Sequence, residues 1–321
     1  MRSISLLAVL VVLAVSPLPA QSAAPLSLPA IRPVNPVAES RSGLYFQPWV
    51  PAGDGWRVGV ALDYGSAIEY NLSPSGRYLL DAEVMRLNVR VGRDLGPRYF
   101  AQAEAFLGVA GGGFLDGFFD WYHDLLGLDV PERGLRPHGA FGYEIALPDG
   151  RTLRYTPGMY LGDLRLSAGR RHAEGLQSVV SITLPTATHL DGYGRGTVSA
   201  SLLNTLQAPL TPRLSFEGSL GLGATPTHGD LADYQNQLFG LLAGGFRYRL
   251  VGILSLYLSG YYHTPYYNGT GYPGLDRREL SLNYGLIFRT RAGHDFKAGM
   301  TEDLSPSGPA VDAVFQLGYR W

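Results

Sequence analysis

Residues 311–321 alternate with period two. Val311, Ala313, Phe315, Leu317, Tyr319 and Trp321 fall on one face, and Asp312, Gln316, Gly318 and Arg320 on the other. Such a segment is a strand with one apolar and one polar side. An apolar sheet face must be covered, by another layer or by lipid. Lipid satisfies no free backbone N–H or C=O, so a sheet that crosses a membrane must close on itself. A last strand ending on an aromatic fits the second solution. It is expected to close a barrel against the first strand and to be the segment that the barrel-assembly machinery engages.

The front of the chain fits export. Met1 and Arg2 open a basic region, Leu6 to Val15 form an apolar core, and small residues follow to Ala24. The apolar run is shorter than the ~20 residues a membrane helix needs, so residues 1–24 read as a cleaved signal peptide. No later run of about 18 apolar residues suggests a helical inner-membrane protein. Zero cysteines remove disulfides, thiolate metal sites and a lipidated cysteine from consideration. The expected location is the bacterial outer membrane, with its lipid as the first partner.

A net charge of −1 supplies no electrostatic case for nucleic acid. Mean hydropathy is near zero, as expected where each strand averages a lipid face with a polar lumen face.

Strand-like segments run at roughly 55–70, 77–93, 98–111, 162–171, 175–185, 194–208, 211–224, 237–250, 253–264, 277–290, 293–303 and 310–321. Short connections (94–97, 171–174, 209–212, 251–252, 291–293) alternate with mostly longer ones (71–76, 112–161, 185–193, 225–236, 264–276, 305–309). Short periplasmic turns and long outer loops are the rhythm of a membrane barrel. The fold class is therefore all-β: an antiparallel up-and-down transmembrane β-barrel spanning 55–321, with about 12 strands. A 14-strand alternative uses 141–147 and 151–155 as a further hairpin. Residues 25–54 form an N-terminal arm, either periplasmic or tucked into the lumen.

The faces follow from the alternation. Met85, Leu87, Val89, Leu256, Leu258, Leu286, Phe288, Phe246 and Tyr248 should meet lipid. Arg86, Arg90, Glu104, Glu217, Arg247, Arg249, Glu279, Arg289, Lys297 and Arg320 should face the lumen, because an Arg on the lipid face at mid-bilayer costs ~2–4 kcal/mol. Arg57, Arg90, Arg249, Arg289, Lys297 and Arg320 sit toward the periplasmic ends, and Glu69, Glu279 and Asp312 toward the outer ends. Aligned, they would form a basic lower ring and an acidic upper one; paired instead, they would fill the lumen. Arg90/Gln102 and Asn88/Glu104 are the rungs expected across the 94–97 turn. Tyr64, Tyr70, Tyr99, Tyr262, Tyr319 and Trp321 suit the aromatic girdles at the interfaces.

The loop 112–161 is long enough to carry its own structure. Residues 114–126 read as a short amphipathic helix, with Leu115, Phe118, Phe119, Tyr122 and Leu126 on one face. It either folds into the mouth, making Phe118, Trp121, Tyr122 and His123 plug residues, or rests on the rim and outer leaflet. Asp120, His123 and Asp124 are close enough on a helix to bind a metal, though such residues are usually just solvated. The aromatic stretch 261–272 could stack on a sugar or lipid, or serve as girdle and turn.

Several blocks resemble an uncharacterised family of Gram-negative outer-membrane proteins, catalogued as domain of unknown function 3187. They are Arg32-Pro33-Val34-Asn35-Pro36; Leu80-Asp81-Ala82-Glu83 with Arg86; Gly113-Phe114-Leu115-Asp116 with Trp121-Tyr122-His123; Leu161-Gly162-Asp163-Leu164; Leu184-Pro185-Thr186; and Thr301-Glu302-Asp303-Leu304. Their order and spacing over nearly all the mature chain carry the match. The resemblance implies an outer-membrane barrel and no established activity or site residues.

Three function classes follow: a passive or gated channel for small or amphipathic solutes, a structural or interaction barrel with a filled lumen, and an envelope hydrolase. The chain resembles outer-membrane phospholipase only in strand number. That enzyme's His-x-Ser signature is missing, since Asp191, Pro265 and Phe296 follow two residues after His189, His263 and His294. No nucleophile pairs with a base, so no enzyme, cofactor or catalytic residue is expected.

Overall fold

The computed structural model describes residues 27–53, 55–74, 76–127, 132–173, 175–188, 191–304 and 313–320. The expected leader, Leu126's side chain, the 305–312 connection and Trp321 lie outside the described residues. The strands are β1 (Trp56–Ser73), β2 (Gly76–Asp94), β3 (Tyr99–Gly111), β4 (Gly142–Ala146), β5 (Thr152–Arg154), β6 (Gly158–Leu161), β7 (Leu164–Ala173), β8 (Leu176–Leu184), β9 (Ser199–Pro209), β10 (Leu214–Ala224), β11 (Leu238–Val251), β12 (Leu254–His263), β13 (Glu279–Arg289), β14 (Asp295–Asp303) and β15 (Ala313–Arg320).

All pairings are antiparallel, and β15 returns to β1 in a register running from Gly59↔Arg320 to Ser66↔Ala313. Twelve strands make the ring: β1–β3, β7 and β8–β15. The ring closes on itself, which is the condition for crossing lipid with strands. The short turns and both ends of the ring lie at one end, which the topology of such barrels assigns to the periplasm.

The 14-strand alternative is incorrect. β4 and β5 do form a hairpin, but it adds to the outer end of β2, from Tyr78↔Ile145 to Asp81↔Gly142, and stays outside the ring. At five and three residues, its strands are too short for a span that takes ~9–11. β6 prolongs β7 along β3, so this barrel strand begins earlier than the expected residue 162. The rungs across the first short turn are also displaced. Arg90 faces Glu104, Asn88 faces Phe106 and Gly92 faces Gln102. The turn includes Arg98, and the Leu95 N–H donates to the Tyr99 carbonyl at 2.8 Å. A two-residue slip changes partners but preserves faces.

The faces fall as the alternation requires. Leu220, Leu222, Leu242, Leu256, Leu258, Phe246, Leu286, Phe288 and Leu317 are exposed on the outside, while Ser219, Ser259, Asn283, Thr301 and Gln316 are buried within. Apolar outside and polar inside suits lipid as the outer solvent. The apolar core occupies the outer half of the lumen. There Ile31, Val34, Val37, Leu44 and Phe46 of the N-terminal arm meet inward-facing and loop tyrosines, among them Tyr78, Tyr143, Tyr160, Tyr193 and Tyr261.

Candidate functional site

The lumen is occupied by the N-terminal arm. Residues 27–50 run from the periplasmic end toward the outer end and return, with Ile31 bridged to Phe46 and Ser27 donating to the Trp49 carbonyl at 2.6 Å. A helical turn at the tip, α1 (Pro36–Glu39), has Pro at its start and Asn35 as its cap, accepting the Val37 N–H at 2.9 Å.

Polar groups hold the arm to the wall. Near the periplasmic end the Glu217 carboxylate accepts the Leu28 and Trp49 amides at 3.2 and 2.7 Å. The Lys297 ammonium donates to the Ser27 and Leu28 carbonyls at 2.9 Å each. Midway, Glu104 receives Arg32 at 3.2 Å, Arg90 at 2.6 Å and the Tyr45 hydroxyl. Higher up, Arg86 donates to the Pro33 carbonyl and pairs with Glu39 at 3.3 Å. Burial pushes Glu39 up to about 7, outweighing the attraction of Arg86 and Arg195. At the tip Asn35 donates to Glu69 at 3.0 Å, and Arg41 donates to the carbonyls of Thr225, Pro226 and Asn236 at 2.9–3.1 Å.

Every lumen residue expected from the alternation lies on the inward face of its strand, as the register with arm-contacting neighbours requires. They do not form separate basic and acidic rings. Arg57 and Arg171 share Asp94 at 2.7 and 2.8 Å, Arg289 and Arg320 share Asp295, and Arg32 and Arg90 share Glu104. Arg247 donates to Ser215 at 3.1 Å, and Glu279 accepts the Tyr266 hydroxyl at 2.7 Å. A buried charge is too costly to stand alone, so acids and bases interleave. Asp312, assigned to the upper ring, lies outside the described residues.

The outer mouth is roofed by aromatics. Tyr261, His263, Tyr266, Tyr267 and Tyr272 are buried, with the Tyr266 and His263 rings stacked at 4.2 Å. The stretch 261–272 is therefore neither a free stacking platform nor a girdle, apart from Tyr262 on the outer face. At the periplasmic end space remains. A vestibule of about 970 Å³, partly open to solvent, lies between the arm at Pro29, Pro48 and Trp49 and the wall at Arg57, Arg90, Lys297 and Arg320.

The helical part of the long loop does not enter the lumen, which corrects the plug assignment of Phe118, Trp121, Tyr122 and His123; of the loop it is Tyr143, Ile145, Leu147 and Tyr160 that join the buried core. Its helix, α2 (Asp116–Leu126), packs on the outside of the barrel. Phe118 and Phe119 meet Phe315 at 5.4 and 5.8 Å, and the Tyr122 and Tyr284 hydroxyls are 2.8 Å apart. Phe315 and Tyr284 face outward, because their neighbours Gln316 and Asn283 bond each other within the lumen at 2.6 Å. Trp121 and Leu125 of the helix remain 57 and 65 % exposed, and Phe114, beside Tyr64 at 5.5 Å, remains 78 % exposed. Inward packing fails physically because the arm already occupies that space.

Asp81 and Glu83 explain the docking. Both point outward from β2, where a bare carboxylate would meet lipid. Glu83 accepts the Phe114 and Leu115 amides at 3.0 and 2.7 Å and the Tyr64 hydroxyl; Asp81 accepts Arg136 at 2.7 Å. Tyr64 lies under this segment and is not a girdle residue. The two acids on a lipid-type face were the missed signal that something covers the wall. Asp120 turns to Arg133 and His138 at 3.7 and 2.8 Å, and His123 is buried, with burial and Arg133 holding it below its usual range. Among the described residues no three His, Asp or Glu side chains are placed to hold a metal.

The chain is similar to three solved structures. The COG4313 outer membrane channel from Pseudomonas putida F1 is 14 % identical, with a TM-score of 0.54 over 84 % of this chain and 96 % of that one. The translocator domain of autotransporter NalP from Neisseria meningitidis is 13 % identical (TM-score 0.45, 84 and 89 % covered). A Pseudomonas aeruginosa FadL homologue is 10 % identical (TM-score 0.42, 84 and 90 % covered). No curated protein matches the chain. The family model described as "Protein of unknown function (DUF3187)" matches residues 67–321, and the chain belongs to that family.

Proposed function

We propose that the protein is an outer-membrane channel for small solutes, closed in this state by its own N-terminal arm. The observation that carries this reading is the character of the arm–wall contact near the vestibule. It is made largely of hydrogen bonds and ion pairs from inward-facing side chains, which water can replace if the arm moves. The similarity of fold to the Pseudomonas putida channel supports it. The apolar outer belt supports an outer-membrane location, with the exposed face of α2 meeting the outer leaflet. No catalytic step is part of this reading. The buried aromatic roof favours a second reading, a structural barrel with a permanently filled lumen.

The two readings separate on one reversible lock. A Cβ built on Gly223 would lie 3.3 Å from that of Leu44 in the arm, close to the ~3.5–4.5 Å of a disulfide. With no native cysteine, a Leu44→Cys/Gly223→Cys pair is a unique staple. Planar-bilayer recordings should show openings for wild type and reduced variant, and none after oxidation. Silence from all of them, with folding shown by heat-modifiable migration, would leave the structural barrel.

A further inference from the structure

We propose that the periplasmic vestibule binds small amphipathic organic anions, a carboxylate on an apolar body. This rests on the channel reading only for its consequence, that such anions would be the solutes. The binding itself stands on the cavity.

Three observations point to an anion. First, the carboxylates that line or flank the space are shared between cations. Asp94 serves Arg57 and Arg171, Glu104 serves Arg32 and Arg90, and Asp295 serves Arg289 and Arg320. Lys297, also on the cavity wall, donates to the Ser27 and Leu28 carbonyls. The remaining carboxylates are already engaged: Asp63 accepts Asn88 at 2.8 Å and lies 3.9 Å from Arg32, and Glu217 accepts two arm amides. The wall therefore carries more positive than negative charge, concentrated in one concavity.

Second, donors remain unused. Among the described residues, Arg57 Nη1 and the Tyr257 hydroxyl are buried without a hydrogen-bond partner, and both residues line the cavity. A buried donor without a partner costs free energy that a ligand oxygen would recover. Tyr257 is 4 % exposed, and its ring lies across Gly299, where a Cβ would come within 1.8 Å of the hydroxyl oxygen.

Third, the opposite wall is apolar. Pro29, Pro48, Trp49 and Val50 of the arm face the basic wall across the space. An inorganic anion would leave that surface wet, whereas a carboxylate on a short apolar body satisfies both sides.

The test uses the full mature protein, refolded into nanodiscs and titrated calorimetrically with phenylbutyrate, phenylbutanol and phenylbutylamine. The acid should bind roughly tenfold or more tightly than the alcohol, as a charge-assisted contact implies, and the amine should not bind. Arg57→Gln should weaken the acid roughly tenfold and leave the alcohol unchanged. Lys297→Gln should do the same, with arm docking checked by hydrogen exchange. Equal binding of the three probes, or full acid affinity in Arg57→Gln, would overturn the proposal. Head-group discrimination without conductance would keep this site and defeat the channel reading; conductance without discrimination would do the reverse.

Discussion

Glu104→Gln is the most informative single change. The carboxylate joins the arm to the wall: Arg32 and Tyr45 reach it from the arm and Arg90 from β2. The side chains of Arg32, Glu104 and Arg90 are 8, 11 and 20 % exposed, so little water can replace the lost charge. Removing one partner of a buried ion pair costs about 3–5 kcal/mol. The lower figure applies, because glutamine keeps one acceptor and Arg32 retains Asp63 at 3.9 Å. About 3 kcal/mol corresponds to a roughly 150-fold shift toward the undocked arm. Hydrogen exchange read by mass spectrometry should show residues 27–50 exchanging faster by that order, with the barrel strands unchanged. Channel openings should become more frequent in parallel. An arm that exchanges within threefold of wild type would refute the assignment of Glu104 as its anchor. Uniform acceleration of all amides would refute the separability of arm and barrel.

Deleting residues 113–140 should leave conductance and its selectivity unchanged, because that segment lies outside the wall. The deletion should lower thermal stability, since it uncovers Asp81 and Glu83. With the other tryptophans replaced, Trp121 fluorescence should be quenched by brominated outer-leaflet lipid, and failure of quenching would place α2 away from the membrane. Gly299→Ala should destabilise the barrel by about 1–3 kcal/mol, because the new Cβ meets the Tyr257 hydroxyl. Tyr257→Ala should relieve only part of that cost in a double-mutant cycle read by unfolding in urea, because the new Cβ also meets the Tyr284 backbone carbonyl oxygen at 2.5 Å. For Glu39, pushed up to about 7 by burial, the folded state holds its proton more tightly than the free arm. Its contribution to docking is therefore full below about 4.5 and is lost as pH rises through 7. Arm exchange, corrected for intrinsic rates, should accelerate across that window in wild type and stay flat in Glu39→Gln.

The sequence by itself determined the strand number to within one hairpin, the faces, and the end of the barrel at which the short turns gather. Each rests on period-two alternation and on connection length, which are local properties. Leu256, Ser259 and Phe288 declare their sides within a single strand, and the ring follows because a lipid-facing sheet has no other way to satisfy its edges. The family was legible for a different reason, the order of blocks such as Arg32 to Pro36 and Leu80 to Glu83.

What fills the lumen was decided only by tertiary structure. Residues 27–50 carry no periodicity that says where they go. Their place is set by partners far away in sequence, Glu217, Lys297 and Glu104, whose inward faces converge only after the ring has closed. The same closure excludes α2 from the interior. Its aromatic face suits either side of the wall, and Asp81 and Glu83, outward by alternation yet charged, choose the outer one by accepting Arg136 and the Phe114 and Leu115 amides that lead into the helix. A local pattern can assign a side chain to a face. Which of two segments wins the space behind that face depends on a competition between distant groups for one volume and one set of hydrogen bonds.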